Sequence, residues 1–230
     1  MNNEIQEKFR IVLVEDHPMF RDQLRQLINK VPAMQVSGEA DNVSKAFELI
    51  ESQRPDIAIV DLTLKGPSGL ELIKNLKAKE INVPVLVLSM HDEALYAERV
   101  LKAGARGYIT KNEASGEVLT AIHAVLRGEI YLPARMSSRI LESVAIGRKT
   151  ESGIGQLTDR ELEIFQLIGH GRTTREISNC LHLGTSTVDT YRARIKTKLR
   201  LENSGQLYHE AIRWVSEGPQ VSTEPVAPGR

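Results

Sequence analysis

Five residues able to handle a phosphoryl group fall at the ends of four short apolar runs. Glu15 and Asp16 follow residues 11–14, Asp61 follows 57–60, Ser89 follows 85–88, and Lys111 follows 107–110. Three carboxylates suit a hard divalent cation, which takes oxygen ligands. A hydroxyl and an ammonium suit the remaining oxygens of a phosphoryl group. The pattern therefore points to phosphorylation of Asp61, with its carboxylate as nucleophile. Singly, each residue is ordinary, since an Asp after a buried strand is most often a turn or helix-cap residue. The force of the pattern lies in its order along the chain.

These residues converge only if the runs are parallel strands, because an open α/β sheet binds ligands outside the carboxyl ends of its strands. Strands are expected at 10–15, 34–39, 56–61, 83–88 and 106–110. Helices are expected near 18–30, 43–53, 68–79, 92–104 and 114–127. That alternation predicts an α/β fold, a doubly wound five-stranded parallel sheet. The expected domains are 9–128, a partly helical linker over 129–155 (a helix over 135–146, then a flexible stretch over 147–155), a small all-α domain over 156–216, and a disordered tail over 217–230.

The second domain has a different texture. Thr158 to Glu161 reads as a capping box opening a helix lined by Leu162, Phe165, Leu167 and Ile168. A second helix runs from Thr173 to about Leu181, a third, capped by Thr185 and Ser186, runs to about Arg200, and a fourth spans 203–216. A short helix, a glycine-containing turn and a basic helix suggest a helix-turn-helix. On the third helix Val188, Tyr191, Ile195 and Leu199 form the inward stripe, and Asp189, Thr190, Ala193 and Thr197 point away. Arg192, Arg194, Lys196 and Lys198 flank that crest, an arrangement suited to phosphates around a major groove. The bland alternative is an amphipathic surface helix.

Composition narrows the class less than charge distribution does. The 230-residue chain carries 30 Lys+Arg against 30 Asp+Glu, so net charge names no partner. Residues 1–130 hold 16 basic and 19 acidic side chains, whereas 192–200 holds five cations and no acid. The single cysteine, Cys180, excludes an intramolecular disulfide and is expected to be a small buried thiol in a reducing compartment. The polar N-terminus and the lack of a long apolar run lead us to expect a cytoplasmic protein without a membrane partner.

With both halves in view, the chain resembles NarL/FixJ-type two-component response regulators, a receiver joined to a LuxR-type helix-turn-helix. The resemblance covers about residues 9–215. In the receiver it rests on Val14-Glu15-Asp16-His17-Pro18, Val60-Asp61-Leu62-Thr63-Leu64, Gly69-Leu70-Glu71-Leu72, Leu88-Ser89 and residues 104–111. In the output domain it rests on Leu157-Thr158-Asp159-Arg160-Glu161, Glu176-Ile177, Thr187-Val188-Asp189-Thr190-Tyr191 and Lys198-Leu199.

The resemblance implies that Asp61 takes a phosphoryl group from a sensor histidine kinase, with Mg²⁺ as cofactor. Asp16 would ligate the metal directly, Glu15 through water and Thr63 through its carbonyl. Lys111 and Ser89 would hold phosphoryl oxygens, Tyr108 would be an aromatic switch rotating inward, and Thr63 and His91 would flank the phosphate. Ser186, Thr187, Asp189, Thr190, Arg192, Arg194 and Lys196 are the expected contacts to double-stranded promoter DNA. A homodimer on DNA is expected, with RNA polymerase admitted as a further partner. Leu207, Ala211, Ile212 and Trp214 of the last helix are a candidate dimer surface, packing of some of them within their own domain being the alternative. Lys65 and Asn112 depart from commoner receiver patterns. Asp189 and Ala193 stand where several relatives carry lysine, so no operator sequence transfers.

Two rivals remain at this point. A haloacid-dehalogenase-type phosphatase also places an Asp after a parallel strand, but needs a second Asp where this chain has Thr63. No turnover of an external substrate is expected, only self-hydrolysis of the aspartyl phosphate. The other rival keeps DNA binding and makes the receiver a phosphorylation-independent scaffold.

Overall fold

The computed structural model describes residues 7–90, 94–134, 136–138, 141 and 153–217. The chain divides into two compact units, 1–148 and 149–230. In the first, β1 (Phe9–Val14), β2 (Met34–Ala40), β3 (Ile57–Asp61), β4 (Val85–Ser89) and β5 (Gly107–Thr110) form one sheet in the order β2-β1-β3-β4-β5. Every ladder is parallel. Helices α1 (Pro18–Asn29), α2 (Val43–Gln53), α3 (Gly69–Ala78), α4 (Ala94–Ala103) and α5 (Ala114–Leu126) alternate with the strands.

Burial on both faces explains why the central strands read as unbroken apolar runs. Ile11, Leu13, Ile57, Ile59, Leu86, Leu88 and Ile109 pack with Leu24 and Ile28 of α1 and with Val118, Ile122 and Val125 of α5. The alternate residues Val12, Val14, Ala58, Val60 and Val87 point the opposite way and are buried too. Register does the positioning: Val14 pairs with Val60, Asp61 with Leu88, and Ser89 with Thr110. All the expected functional strand ends therefore meet along one edge.

Two backbone details shape the rim. Leu62 N–H donates to Leu88 O at 3.1 Å and Gly69 N–H to Leu62 O at 2.9 Å, folding the loop after Asp61 back on the sheet. At the far edge, Tyr131 N–H donates to Arg106 O at 3.0 Å and Tyr108 N–H to Tyr131 O at 2.9 Å. That makes one parallel bridge, Gly107 to Tyr131, along the outside of β5.

The second unit, after a short 3₁₀ turn (Gly153–Gln156), holds α6 (Asp159–Gly169), α7 (Thr174–Leu181), α8 (Thr185–Leu199) and α9 (Ser204–Glu217). Capping boxes open α6 through Thr158 and Glu161, and α7 through Thr173 and Glu176. Helix α6 is buried well beyond the expected stripe, with Glu161, Glu163, Ile164 and Gln166 inside and Leu167 only half-buried. It packs against α7, α8 and α9, so several of its faces are covered.

Some expectations are corrected. The N-cap of α8 is Gly184, not Thr185 or Ser186, and no side chain caps that end. Cys180 is exposed, because Ile177 and Leu181 make the buried stripe of α7 and Cys180 lies about 100° round the helix from Leu181. Most of the helix expected over 135–146, residues 147–152 of the flexible stretch, and the tail from 218 lie outside the described residues. Among the described residues, no helix is long and apolar enough to cross a membrane.

Gly69 supplies a test of the rim. A Cβ there would press on the Asp61 carbonyl oxygen and reach within 2.9 Å of Val60 Cγ1. Gly69→Ala is expected to lower the urea-unfolding stability of the receiver by about 1–3 kcal/mol through overpacking. An unchanged unfolding midpoint would show that the rim yields without cost.

Candidate functional site

Asp61 ends β3 with its side chain almost wholly enclosed, at 1 % exposure. Its Oδ1 accepts from Thr63 N–H at 3.1 Å, and its Oδ2 from Lys111 Nζ at 2.7 Å. The same ammonium lies 2.8 Å from Glu15 Oε2 and 4.9 Å from the centroid of the Phe20 ring. Lys111 is itself set by its backbone, whose N–H donates to Ser89 O at 2.7 Å. Ser89 and Tyr108 are both fully buried.

Glu15 and Asp16 follow β1 in the loop before α1. Glu15 N–H donates to Ala40 O at 3.0 Å, and Arg21 Nη1 donates to Glu15 O at 2.6 Å. His17 N–H donates to Glu15 Oε1 at 3.0 Å. The ring Nδ1 of His17 lies 3.1 Å from that same oxygen and 2.9 Å from Asp16 Oδ1. Ligand atoms of Glu15, Asp16, His17 and Asp61 all fall within 4.8 Å of one another.

Asp16 Oδ1 is buried, and its approach to His17 Nδ1 at 2.9 Å is not aligned as a hydrogen bond. Glu15 Oε2 is likewise buried, and meets the Lys111 ammonium at 2.8 Å. Carboxylate oxygens crowded together and short of donors fit a hard divalent cation such as Mg²⁺. Asp16, Glu15 and Asp61 are the residues that could hold one.

Burial is the largest influence on Asp61 and pushes its carboxyl up to about 7. Lys111 pulls it down, Glu15 raises it, and the Thr63 hydrogen bond lowers it. Burial works against the charged form of Lys111, but the charges of Asp61 and Glu15 more than reverse this and hold its pKa above the ordinary value.

The basic helix sorts its side chains unequally. Val188 and Ile195 are buried, Tyr191 and Leu199 half-buried, and Asp189, Thr190, Ala193 and Thr197 exposed. Ser186, Thr187 and Arg194 are also exposed, and Lys196 is half-buried. Two of the flanking cations turn inward. Lys198 Nζ lies 2.6 Å from Glu161 Oε2, and Arg192 Nη1 donates to Thr174 Oγ1 at 2.9 Å. Thr190 Oγ1 donates to Ser186 O at 2.9 Å, back into its own helix.

Residues 11–123 match the response regulator receiver domain, and residues 155–211 match the bacterial regulatory proteins of the luxR family. Response regulator UvrY of Escherichia coli (strain K12) is 32% identical over 203 residues, covering 88% of this chain and 93% of that protein. The nitrate/nitrite response regulator protein NarL of the same strain is 33% identical over 213 residues, covering 92% and 97%. This chain belongs to the NarL/FixJ-type response regulators.

A solved two-component response regulator of the LuxR family from Aurantimonas sp. SI85-9A1 superposes on this response regulator with a TM-score of 0.57. It is 34% identical and covers 60% of this chain and 99% of its own. RcsB from Salmonella enterica serovar Typhimurium, solved bound to promoter rprA in the presence of phosphomimetic BeF3-, shares the fold with a TM-score of 0.59. It is 22% identical, with 90% and 99% of the two chains covered. The family is one of transcriptional regulators with a receiver and a DNA-binding domain.

Within this response regulator the fold brings Glu15, Asp16, Asp61, Thr63 and Lys111 together, with Ser89 tied to Lys111 through its carbonyl. His91 lies outside the described residues. The Tyr108 ring is already inside, so an inward rotation cannot begin from this arrangement. Of the expected dimer residues, Leu207, Ala211 and Trp214 are buried in their own unit, Trp214 against Phe165 at 5.7 Å between ring centroids. Only Ile212, 48 % exposed, remains for a partner. The sequence pattern missed His17, Phe20 and Arg21, which stand on the first turn of α1 or just before it. Their closeness to Glu15 and Asp16 in the chain was the available signal.

The raised Asp61 pKa has a stability consequence. Between the ordinary value of 3.8 and about 7, the folded metal-free protein binds more protons at Asp61 than the unfolded chain does. This contribution to stability is complete below the lower value and is lost as pH rises through about 7. Urea-unfolding midpoints in chelator are expected to fall across that window, with a flatter profile in Asp61→Asn. Matching profiles would contradict the assignment.

Proposed function

We propose that this response regulator is switched by Mg²⁺-dependent phosphoryl transfer from a sensor histidine kinase to Asp61, and that its second domain then acts on promoter DNA. The observation that carries the proposal is the enclosed Asp61 carboxylate between Lys111 Nζ at 2.7 Å and Thr63 N–H at 3.1 Å, beside Glu15 and Asp16. An Asp61 oxygen attacks phosphorus, the phosphorus–nitrogen bond of phosphohistidine breaks, and its electron pair returns to the imidazole. Phosphoryl transfer is mostly positioning and charge neutralisation. Asp16, Glu15, Asp61 and the Thr63 carbonyl would hold Mg²⁺, which would supply that neutralisation on the carboxylate side. Lys111 supplies it on the other side, and Ser89 takes a further oxygen. The acyl phosphate is lost by hydrolysis on the protein, without an external substrate.

The phosphoryl group adds about −1.5 to −2 of charge, by analogy with other phosphorylated side chains. Lys111 then has a new partner, and the inward placement of Tyr108 is the arrangement favoured. The product is a homodimer in which Ile212 is the available apolar contact on α9, with RNA polymerase as a further partner on promoter DNA. Ser186, Thr187, Asp189 and Thr190 form the exposed crest that meets base edges, and Arg194 and Lys196 meet phosphates. The luxR-family match over residues 155–211 supports this placement of function in the second domain, and RcsB, which shares the fold, has been solved bound to promoter rprA.

Incubation with a small acyl phosphate and Mg²⁺ is expected to add one phosphoryl group by intact mass, and none in Asp61→Asn. Beryllofluoride binding guards against a donor that fails without its kinase. No uptake and no beryllofluoride response, with DNA binding intact, would favour the scaffold receiver. On the DNA side, Lys196→Ala is expected to make the slope of log affinity against log salt shallower by about 0.9, one phosphate contact. An unchanged slope would remove Lys196 from the phosphate contacts.

A further inference from the structure

Arg192 belongs to the run of cations on α8, but its guanidinium is turned into the domain. Nη1 donates to Thr174 Oγ1 at 2.9 Å and to Tyr208 OH at 3.2 Å. Its central carbon lies 5.0 Å from the centroid of the Tyr208 ring. Thr174 opens α7 and Tyr208 stands on α9, so one planar side chain ties three helices together. A lysine ammonium cannot reproduce this, since it offers neither the fixed fork nor the flat face.

The arrangement continues outward. With its oxygen accepting from Arg192, the Thr174 hydroxyl turns its proton to Asp189 Oδ1 at 3.5 Å, the outer limit of such a bond. Asp189 is exposed on the crest of α8, one turn before Arg192. A carboxylate there accepts from cytosine N4 in the major groove only if it is aimed at the base edge and its charge is offset among phosphates. Arg192 and Thr174 supply both from behind.

We propose that Arg192 is a positioning residue for sequence reading: through Thr174 it orients the Asp189 carboxylate and seats α8 against α7 and α9, and it contacts no phosphate. The proposal rests on the DNA-binding reading above and separates Arg192 from Arg194 and Lys196, its neighbours in the basic run.

The test uses the full chain with Mg²⁺ and beryllofluoride. Affinities over a salt series are measured for a duplex enriched by the protein from a random pool and for a scrambled duplex of equal length. Arg192→Ala, Arg192→Lys and Thr174→Val are each expected to reduce the preference for the enriched duplex roughly tenfold. Binding to the scrambled duplex and the salt slope should stay as in the parent. Thr174→Ser, which keeps the hydroxyl, should restore the preference, and Thr174→Val added to Asp189→Asn should change nothing further.

A slope shallower by about 0.9 in Arg192→Ala, with parallel losses on both duplexes, would make Arg192 a phosphate contact and overturn the proposal. Equal losses without a slope change, or a silent Thr174→Val, would reduce Arg192 to general support and overturn it as well. Thr174 opens α7 at a half-buried position, so its variants keep the test decisive if Arg192→Ala fails to fold. A parent protein that neither enriches a duplex nor binds in a salt-dependent manner would take down the DNA-binding reading itself. Sequence preference retained by every variant would sink only the role given to Arg192.

Discussion

One ammonium group balances the receiver site. Lys111 Nζ lies 2.7 Å from Asp61 and 2.8 Å from Glu15, with Asp16 close by, so a single cation faces three enclosed carboxylates. Such an arrangement is costly without further partners, because each charge has left water. Its surplus negative charge is of the kind a divalent cation could relieve, and under the proposed phosphoryl transfer its lysine would meet the incoming oxygen. The placement of Lys111 comes from the β4 and β5 ladder and from the backbone bond to Ser89. A slip of one residue between those strands would send Lys111 to the other face of the sheet and leave the carboxylates unpaired.

The second unit uses a buried acid in a comparable manner. Glu161 closes the capping box by accepting from Thr158 N–H at 2.7 Å and also receives Lys198 at 2.6 Å. Burial opposes its charged form, yet these bonds hold its pKa below the ordinary carboxylate value. The start of α6 and the end of α8 are therefore joined through one carboxylate. The cations of α8 divide as a result: Lys198 and Arg192 serve the domain's own packing, and Arg194 lies on the exposed side.

Much of this architecture was legible in the sequence because periodicity and strand-end chemistry are local signals. The five strands begin and end within two residues of expectation, and the residues closing three of them, Glu15, Asp61 and Lys111, meet at one edge as their order implied. What could not be read depends on partners distant in sequence. The run 192–200 looks uniformly basic until Thr174, Tyr208 and Glu161 are brought beside it. Cys180 has the look of a core residue, but α7 needs only Ile177 and Leu181 to cover its neighbours. Leu207, Ala211 and Trp214 form an apolar stripe whose destination, core or partner, is decided by the approach of α6. At Gly169 a Cβ would meet the Ala211 carbonyl, so those two helices touch backbone to backbone.

The single bridge formed by Tyr131 bears on how receivers meet one another. An unpaired strand at the border of a sheet is a template for any other extended chain. Here the groups of Arg106 and Tyr108 that would serve as that template are taken by Tyr131, whose hydroxyl is anchored on Glu117 at 2.6 Å. Pairing of another extended chain is blocked at the Arg106 and Tyr108 positions of this border. Contacts between copies on the β5 side are left to helix surfaces, which can engage and release without unzipping a strand.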